Sequence, residues 1–372
     1  MDYSDLVYIS EELGNSLSRT QVTNGDIVIS QRGSLGQCAI IEDTFEKLNI
    51  SANIIAIKNI KGTTAEFIHD YILSSIGQMQ LERSASGQVQ QKITTQDISD
   101  ILIPVNCDEK NLTDIIKTAN NQYNEKIKKA DALLRCTADI VLSKISIETK
   151  RIPRSLCSAI SLSTLKKDKV FSVEYYHPER IEAIKAIKNC GYKSFKLSEI
   201  VDFCRDTILP KDSSHIYLGL ASVESNTGER NFNIETANGQ AFAYKKEDIL
   251  YARLRPYLNK VFFADKDGIC STEFHVLRVK QTVDVIPEFI AIVLRSSIIL
   301  SQTKHMMTGN THPRISDEDV KKLYIPVPDI SVQKEIVRES NELIKNSRDL
   351  RISANAEWQA AKAQFEKDLL GE

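Results

Sequence analysis

Apolar and polar positions in this chain change period several times, and the changes mark out its elements. Apolar residues alternate with polar ones in short runs at His215–Val223, Asp248–Arg253, Asn259–Ala264 and Thr272–Val279. A period of two predicts strands half-buried in a sheet. From Pro287 to Ser297 the spacing switches to threes and fours, which predicts a short helix. Pro287 stands at its first position, where a missing N–H costs nothing. A polar loop at Met307–Arg314, a one-turn helix at Ser316–Lys322 and a closing strand ending in proline complete the pattern. Ahead of it, Pro178–Lys188 reads as a helix.

The same pattern occurs earlier in the chain at a fixed offset. Asp26-Ile27 falls on Asp248-Ile249, 222 positions later, and the offset then holds without a gap from about Asn24 to Val105. Ile54–Lys58 falls on Val276–Lys280, Glu66-Phe67-Ile68 on Glu288-Phe289-Ile290, and Ser74-Ser75 on Ser296-Ser297. Lys92-Ile93-Thr94 falls on Arg314-Ile315-Ser316, Asp97 on Asp319, and Ile103-Pro104-Val105 on Ile325-Pro326-Val327. Two copies of one supersecondary unit follow.

After each copy comes a stretch free of Gly and Pro. One runs from about Asp108 to Glu148, the other from about Ile330 to Leu370. In the first, Leu112, Ile115 or Ile116, Ala119, Tyr123, Ile127, Ala130, Leu134, Val141 and Ile145 step by threes and fours. In the second, Leu343, Ser347, Leu350, Ala354, Trp358, Ala361, Phe365 and Leu369 do the same. At 1.5 Å per residue each would be a helix roughly 60 Å long. A narrow apolar seam on a long helix needs a partner helix, so the two are expected to pack antiparallel.

The expected division is a first repeat domain over 1–107, a long helix over 108–148, a connection over 149–169, a second repeat domain over 170–328 and a C-terminal helix over 329–372. The copies are unequal. The second has a helix and strands ahead of the shared region, so the first is expected to lack about 50 front residues. An incomplete first domain should expose apolar surface that a partner covers.

Composition narrows the class. Hydrophobic residues make up 42% and charged residues 26% of the 372, an ordinary globular balance. No apolar run approaches the length of a membrane helix, and Met1–Asp5 has neither the basic nor the apolar region of a signal peptide, so a cytoplasmic protein is expected. The seven cysteines contain no CxxC pair, which argues against a disulfide framework or a cysteine-built zinc site. Net charge is −2, so any nucleic-acid surface must be a local patch.

Catalytic patterns are missing from the sequence. It has no N/DPPY/F methyltransferase loop, no glycine-rich cofactor turn leading into a helix and no GxxxxGK[ST] phosphate cradle, so no cofactor and no enzymatic role are expected. His305 and His312 lie seven apart, not at the i,i+4 spacing of a helical zinc site, and no metal is expected. Ser30, Ser34 and His69 have no spacing that implies a nucleophile and base. Asp108-Glu109-Lys110 stands at a helix start, where dipole stabilisation explains it better than nuclease chemistry.

Ordered motifs carry a resemblance. Ile216–Glu229 looks like the opening strand and turn of a type I target recognition domain, and Asp248–Lys260 looks like that family's central hairpin. Gly268–Phe274, Thr308–Ser316, Ile325–Pro328 and Gln333–Ile336 continue the series in order, and Gly25–Gly36 is the commoner hairpin variant. The chain thus resembles the specificity (S) subunit of a type I restriction–modification system. The resemblance implies an α+β fold of two repeated target recognition domains, small mixed sheets with helices, separated by two long helices in an antiparallel coiled coil. It implies that each domain reads one half of a split double-stranded DNA target. It further implies that the helices dock two methyltransferase (M) subunits, and that nuclease-translocase (R) subunits join them. The short first domain departs from this pattern: either it is naturally short, or the chain start lies inside a longer gene, or another polypeptide completes it.

DNA readers need cations for phosphates and planar polar groups for base edges. Candidates in the second copy are Arg253, Arg255, Tyr257, Asn259 and Lys260 of the hairpin, and Asn310, Thr311, His312 and Arg314 of the polar loop. In the first copy they are Gln31, Arg32 and Ser34 of the hairpin, and Gln88, Gln90, Gln91 and Lys92 of the loop. Two alternatives stand beside a DNA reader. One is a coiled-coil scaffold without DNA contact, which the acidic balance favours. The other is a half reader that needs a second polypeptide for its first domain.

Overall fold

A computed structural model describes residues 6–32, 36–42, 48–85, 92–104, 108–148, 159–168, 170–210, 217–231, 233, 235–237, 239–309 and 311–371. The chain forms two compact units, 1–127 with 351–372, and 128–350.

In unit 1 a short helix α1 (Glu11–Ser16) precedes strands β1 (Gln21–Val22), β2 (Ile27–Ser30), β3 (Cys38–Ile40), β4 (Leu48–Asn49) and β5 (Ile54–Ile57). Helices α2 (Ala65–Leu73), α3 (Ser75–Ser84) and α4 (Thr95–Ser99) follow. Strands β3, β2 and β5 make an antiparallel sheet in that order, and β1 pairs with β4. The alternation in β2 explains its burial. Ile27 and Ile29 point to one face and pack with Ile68, Ile72, Leu81 and Ile93, while Val28 points to the other and packs with Val22 and Ile41.

Helix α5 (Glu109–Lys144) leads on to unit 2, whose elements run from α6 (Leu162–Asp168) and α7 (Pro178–Asn189) to β6 (Lys193–Lys196), α8 (Leu197–Ile200) and β7 (Val201–Cys204). Next come β8 (Thr207–Ile208), β9 (Tyr217–Leu218), β10 (Ala241–Tyr244), β11 (Ile249–Ala252), β12 (Val261–Phe263), β13 (Gly268–Ser271) and β14 (Phe274–Val279). The series closes with α9 (Pro287–Arg295), α10 (Ser297–Thr303), α11 (Asp317–Lys321), β15 (Tyr324–Val327) and the long α12 (Ile330–Leu370). One sheet has the order β12-β11-β14-β7, a second β8-β10-β13-β9, and β15 pairs with β6.

Several expectations need correction. The single helix at Pro287–Ser297 is two helices. Ser296 adopts an extended backbone and its Oγ donates to the Val293 carbonyl at 2.5 Å, which ends α9 and turns the chain into α10. Ser74 does the same between α2 and α3, donating to Tyr71 O at 2.6 Å. The strand at His215–Val223 shrinks to Tyr217–Leu218 within the described residues, because the chain turns immediately after it. Thr272 is a turn residue between β13 and β14, not a strand start. Strands β10 and β13 were not foreseen, and the connection over 149–169 contains α6.

The long helices pack antiparallel within each unit. In unit 1, Leu112 is buried with Phe365 and Leu369, the ring of Tyr123 lies 6.2 Å from that of Trp358, and Lys126 reaches Ser353 and Glu357. In unit 2, Ser347 Oγ donates to Ala130 O at 2.9 Å, and Lys144 bridges Glu335 and Glu339. Small residues at the seam, Ala130, Ser347 and Ala354, are almost fully buried, as close helix approach requires. Among the described residues no helix is long and apolar enough to cross a membrane.

Candidate nucleic-acid interface

Hairpin and polar loop, distant in sequence, meet in both units. In unit 2 the Ile315 N–H donates to Arg253 O at 3.0 Å, the Arg255 N–H donates to Pro313 O at 2.7 Å, and Leu254 bridges Arg314. The loop is closed on itself by paired backbone hydrogen bonds of 2.9 Å between Thr308 and Arg314. In unit 1 the Ile93 N–H donates to Gln31 O at 3.2 Å, and Arg32 bridges Lys92. All four positions are the 222-residue counterparts of Arg253, Leu254, Arg314 and Ile315. In each unit the described end of the polar loop thus lies against the hairpin.

Among the candidates in unit 2, Tyr257, Thr311, His312 and Arg314 are exposed, while Arg253 and Arg255 are half-buried. Arg314 is held by Glu273, whose carboxylate accepts from Nε at 3.0 Å and from an Nη at 2.7 Å. Such a bidentate pair fixes the guanidinium plane. Arg253 lies 3.7 Å from Asp317, which also pairs with Arg205 and lies 3.1 Å from His275 Nδ1. Burial, with the nearby Arg253 charge, pushes the His275 pKa down to about 3, so this imidazole is neutral at physiological pH. Arg205 and Arg253 share Asp317, and Arg314 is paired with Glu273, so three cations meet two carboxylates here.

Two hairpin candidates serve the turn itself. Asn259 is 6% exposed and left-handed, and its amide donates to Arg295 O at 2.7 Å. Lys260 Nζ donates to Leu220 O at 2.7 Å, and burial lowers its pKa. Both brace the turn; Asn259 is closed off from solvent, whereas Lys260 is half-buried. Arg255 is also left-handed, a conformation that an L residue holds at a cost, and its backbone N–H is tied to Pro313. In unit 1, Arg32 is exposed and Gln31 and Lys92 are half-buried. Ser34, Gln88, Gln90, Gln91 and Asn310 lie outside the described residues.

One group of metal-ligating side chains occurs among the described residues. His177, Glu179 and His305 place donor atoms within 4.8 Å of one another. His177 Nδ1 accepts the Glu179 N–H as the cap of α7, and its ring stacks on His305 at 3.7 Å. The Glu179 carboxylate pairs with Lys304 and accepts from Ser301 at 3.1 Å. With one nitrogen capping a helix and the carboxylate already neutralised, the cluster latches α7 to α10.

Residues 189–349 match the family described as "Type I restriction modification DNA specificity domain". The chain resembles a type I specificity subunit. It is 32% identical over 111 residues to the type I restriction enzyme HindI specificity subunit of Haemophilus influenzae, which covers 28% of this chain and 24% of that one. It is 24% identical over 169 residues to the EcoDI specificity subunit of Escherichia coli, covering 44% and 37%. The matched segments thus span less than half of either curated relative. The crystal structure of a type I restriction–modification S subunit from M. genitalium superposes over 93% of this chain and 83% of its own, at 12% identity and a TM-score of 0.45.

Within residues 189–349, sequence reasoning missed the polar cluster of Arg205, His275 and Asp317 beside Arg253, because its members lie far apart along the chain. It also missed a main-chain clamp that the repeat could have disclosed. Gln302 brackets Tyr324 and, 222 residues earlier, Gln80 brackets Leu102. Both are glutamines at matching positions, and comparing polar as well as apolar positions at that offset would have found them.

Proposed function

We propose that the chain is the non-catalytic DNA sequence-specificity subunit of a type I restriction–modification complex, reading a split double-stranded target with its two repeats. The observation that carries this reading is the convergence, in both units, of the hairpin and the polar loop on one surface through equivalent backbone contacts. Cationic side chains on it supply affinity through phosphates, and exposed polar ones supply base discrimination. Arg32, Gln31 and Lys92 in unit 1, and Arg253, Arg255, Tyr257, Thr311, His312 and Arg314 in unit 2, are the proposed DNA-facing set. Because their chemistries differ between the copies, the two half-sites are expected to differ.

The long helices supply the second half of the role. Their outer faces are proposed to dock two methyltransferase subunits, and nuclease-translocase subunits join through these. The complex is proposed to work in the cytoplasm. The test is methylation mapping of cells carrying the methyltransferase with and without this chain. A split methylated motif that depends on the chain supports the reading. Identical methylation in both overturns it and favours a protein scaffold.

A further inference from the structure

In unit 2 one carboxylate serves two arginines from separate parts of the chain. Asp317 opens α11, Arg253 follows β11, and Arg205 stands between β7 and β8. One oxygen of Asp317 pairs with Arg205, and Arg253 lies 3.7 Å from the other, a distance that charge spans and a hydrogen bond does not. That second oxygen is buried, accepts no hydrogen bond among the described residues and lies 3.1 Å from His275 Nδ1. The side chains of Arg205 and Arg253 are 58% and 30% exposed, that of Asp317 is 14% and that of His275 is 2%. The carboxylate thus stands behind the two cations, with the buried imidazole at its back. Two guanidinium charges against one carboxylate leave a single positive charge, because His275 is neutral at physiological pH.

Unit 1 keeps the main-chain contact and drops the charges. There the Ile93 N–H donates to Gln31 O at 3.2 Å, as the Ile315 N–H donates to Arg253 O at 3.0 Å in unit 2. At the repeat offset Arg253, His275 and Asp317 become Gln31, Asn53 and Thr95, none of which carries charge. The cluster is therefore particular to unit 2, laid on a frame that both repeats share. Side chains that differ where the frame is kept bear on what each unit selects more than on how it folds.

We propose that Arg205 is a further DNA-contacting residue of unit 2, and that Asp317 is a positioning residue that holds Arg205 and Arg253 as a pair against the half-site this unit reads. This assignment rests on the reading of the chain as a DNA specificity subunit, and it names residues that set the preference. A guanidinium suits phosphate oxygens or the two acceptors of guanine only when its fork is correctly aimed. Anchoring the two side chains in advance cuts the ordering cost of binding and limits the bases they can reach. The same carboxylate repels phosphates wherever the arginines are not fully engaged, which penalises wrong sequences. Asp317 therefore trades general affinity for preference.

The test compares the full wild-type chain with Arg205→Ala, Arg205→Lys and Asp317→Asn. Methylation is mapped in cells carrying the methyltransferase. Binding is titrated with salt on a duplex bearing the mapped motif and on one of random sequence. Arg205→Ala is expected to weaken motif binding by about tenfold and to lower the salt slope by about one. Arg205→Lys is expected to keep the slope and lose preference, since the charge stays and the fork goes. Asp317→Asn is expected to raise affinity for the random duplex and to relax one half of the methylated motif, leaving the other half unchanged. A merely structural role predicts the opposite, equal weakening on both duplexes with the motif intact, and that result would overturn the positioning role. Unchanged affinity and slope in Arg205→Ala would remove Arg205 from the contact set. Should Asp317→Asn fold poorly, the exposed Arg205 pair of variants decides the matter. A wild-type chain that confers no motif and shows no preference sinks the DNA reading itself, whereas a wild-type motif that all three variants leave intact sinks only this assignment.

Discussion

The side-chain amide of Gln302 brackets the backbone of Tyr324: Oε1 accepts from its N–H at 2.9 Å and Nε2 donates to its carbonyl at 3.0 Å. Gln80 does the same to Leu102, at 2.9 and 3.1 Å. In each unit the clamp ties the second helix of the pair to the segment that closes the repeat. Gln302 is fully buried. Gln302→Ala would leave two buried backbone groups unpaired and is expected to cost about 1–3 kcal/mol, whereas Gln80→Ala, in a half-buried site, should cost less. Urea unfolding of the two variants checks both values.

Arg314 and Glu273 should act in opposite directions on DNA. Arg314→Ala removes a cation from the proposed interface and is expected to weaken specific binding by about tenfold or more. Glu273→Gln releases the guanidinium from its bidentate partner. It is expected to raise non-specific affinity and loosen sequence preference, with the salt dependence kept. Equal affinity across all three proteins in a salt titration would remove Arg314 from the interface.

His275 gives the fold a pH dependence whose sign is fixed. Its native pKa is about 3 against an ordinary 6.5, so below pH 6.5 the unfolded chain takes up a proton that the native chain refuses. Stability is therefore full above pH 6.5 and falls as pH drops toward 3, by at most about 1.4 kcal/mol per unit from this group. Burial also lowers the His305 pKa, which adds to the same trend. Between pH 7 and 5, His275→Gln should flatten the slope of the unfolding free energy relative to wild type. An unchanged slope would place the titration elsewhere.

Trp358 is the only tryptophan and belongs to unit 1, against Tyr123. Its fluorescence therefore reports unit 1 unfolding. Phe365 is 1% exposed in the same unit, packed with Phe67, Tyr71 and Leu112. Phe365→Ala is expected to cost about 3–5 kcal/mol in the tryptophan-monitored transition. The unit 2 transition, followed by hydrogen exchange of β11 and β14, should move little.

Asn259→Ala should behave as a structural variant. The amide holds Arg295 O beneath a left-handed turn. Its loss is expected to cost about 1–3 kcal/mol of stability. Any effect on DNA affinity should vanish at a temperature where both proteins are fully folded. A persistent loss of sequence preference would return Asn259 to the reading surface.

The sequence by itself determined the repeat, its offset and the two long helices, because each leaves a periodic trace. Hydrophobic spacing of two and of three to four is written by backbone geometry, and a helix free of Gly and Pro over some 40 residues has no local alternative. It also determined which loops hold the polar side chains, since Thr308–Arg314 and its counterpart stand out by composition. The break at Ser296 was written there too, but a serine in an apolar run announces a helix stop only once its hydroxyl is seen on Val293 O. Tertiary structure alone decided which candidates face solvent. Asn259 looks like a reader by type, yet a turn with two left-handed residues aims it inward, while Arg314 reaches the surface on a strut from Glu273. It alone also decided that Ile98, Ile101 and Ile103 line an open groove while Val320, Leu323 and Ile325 do not. Apolar residues at matched positions carry the same pattern whether or not a strand lies over them, and burial is a property of what the rest of the chain brings to the site.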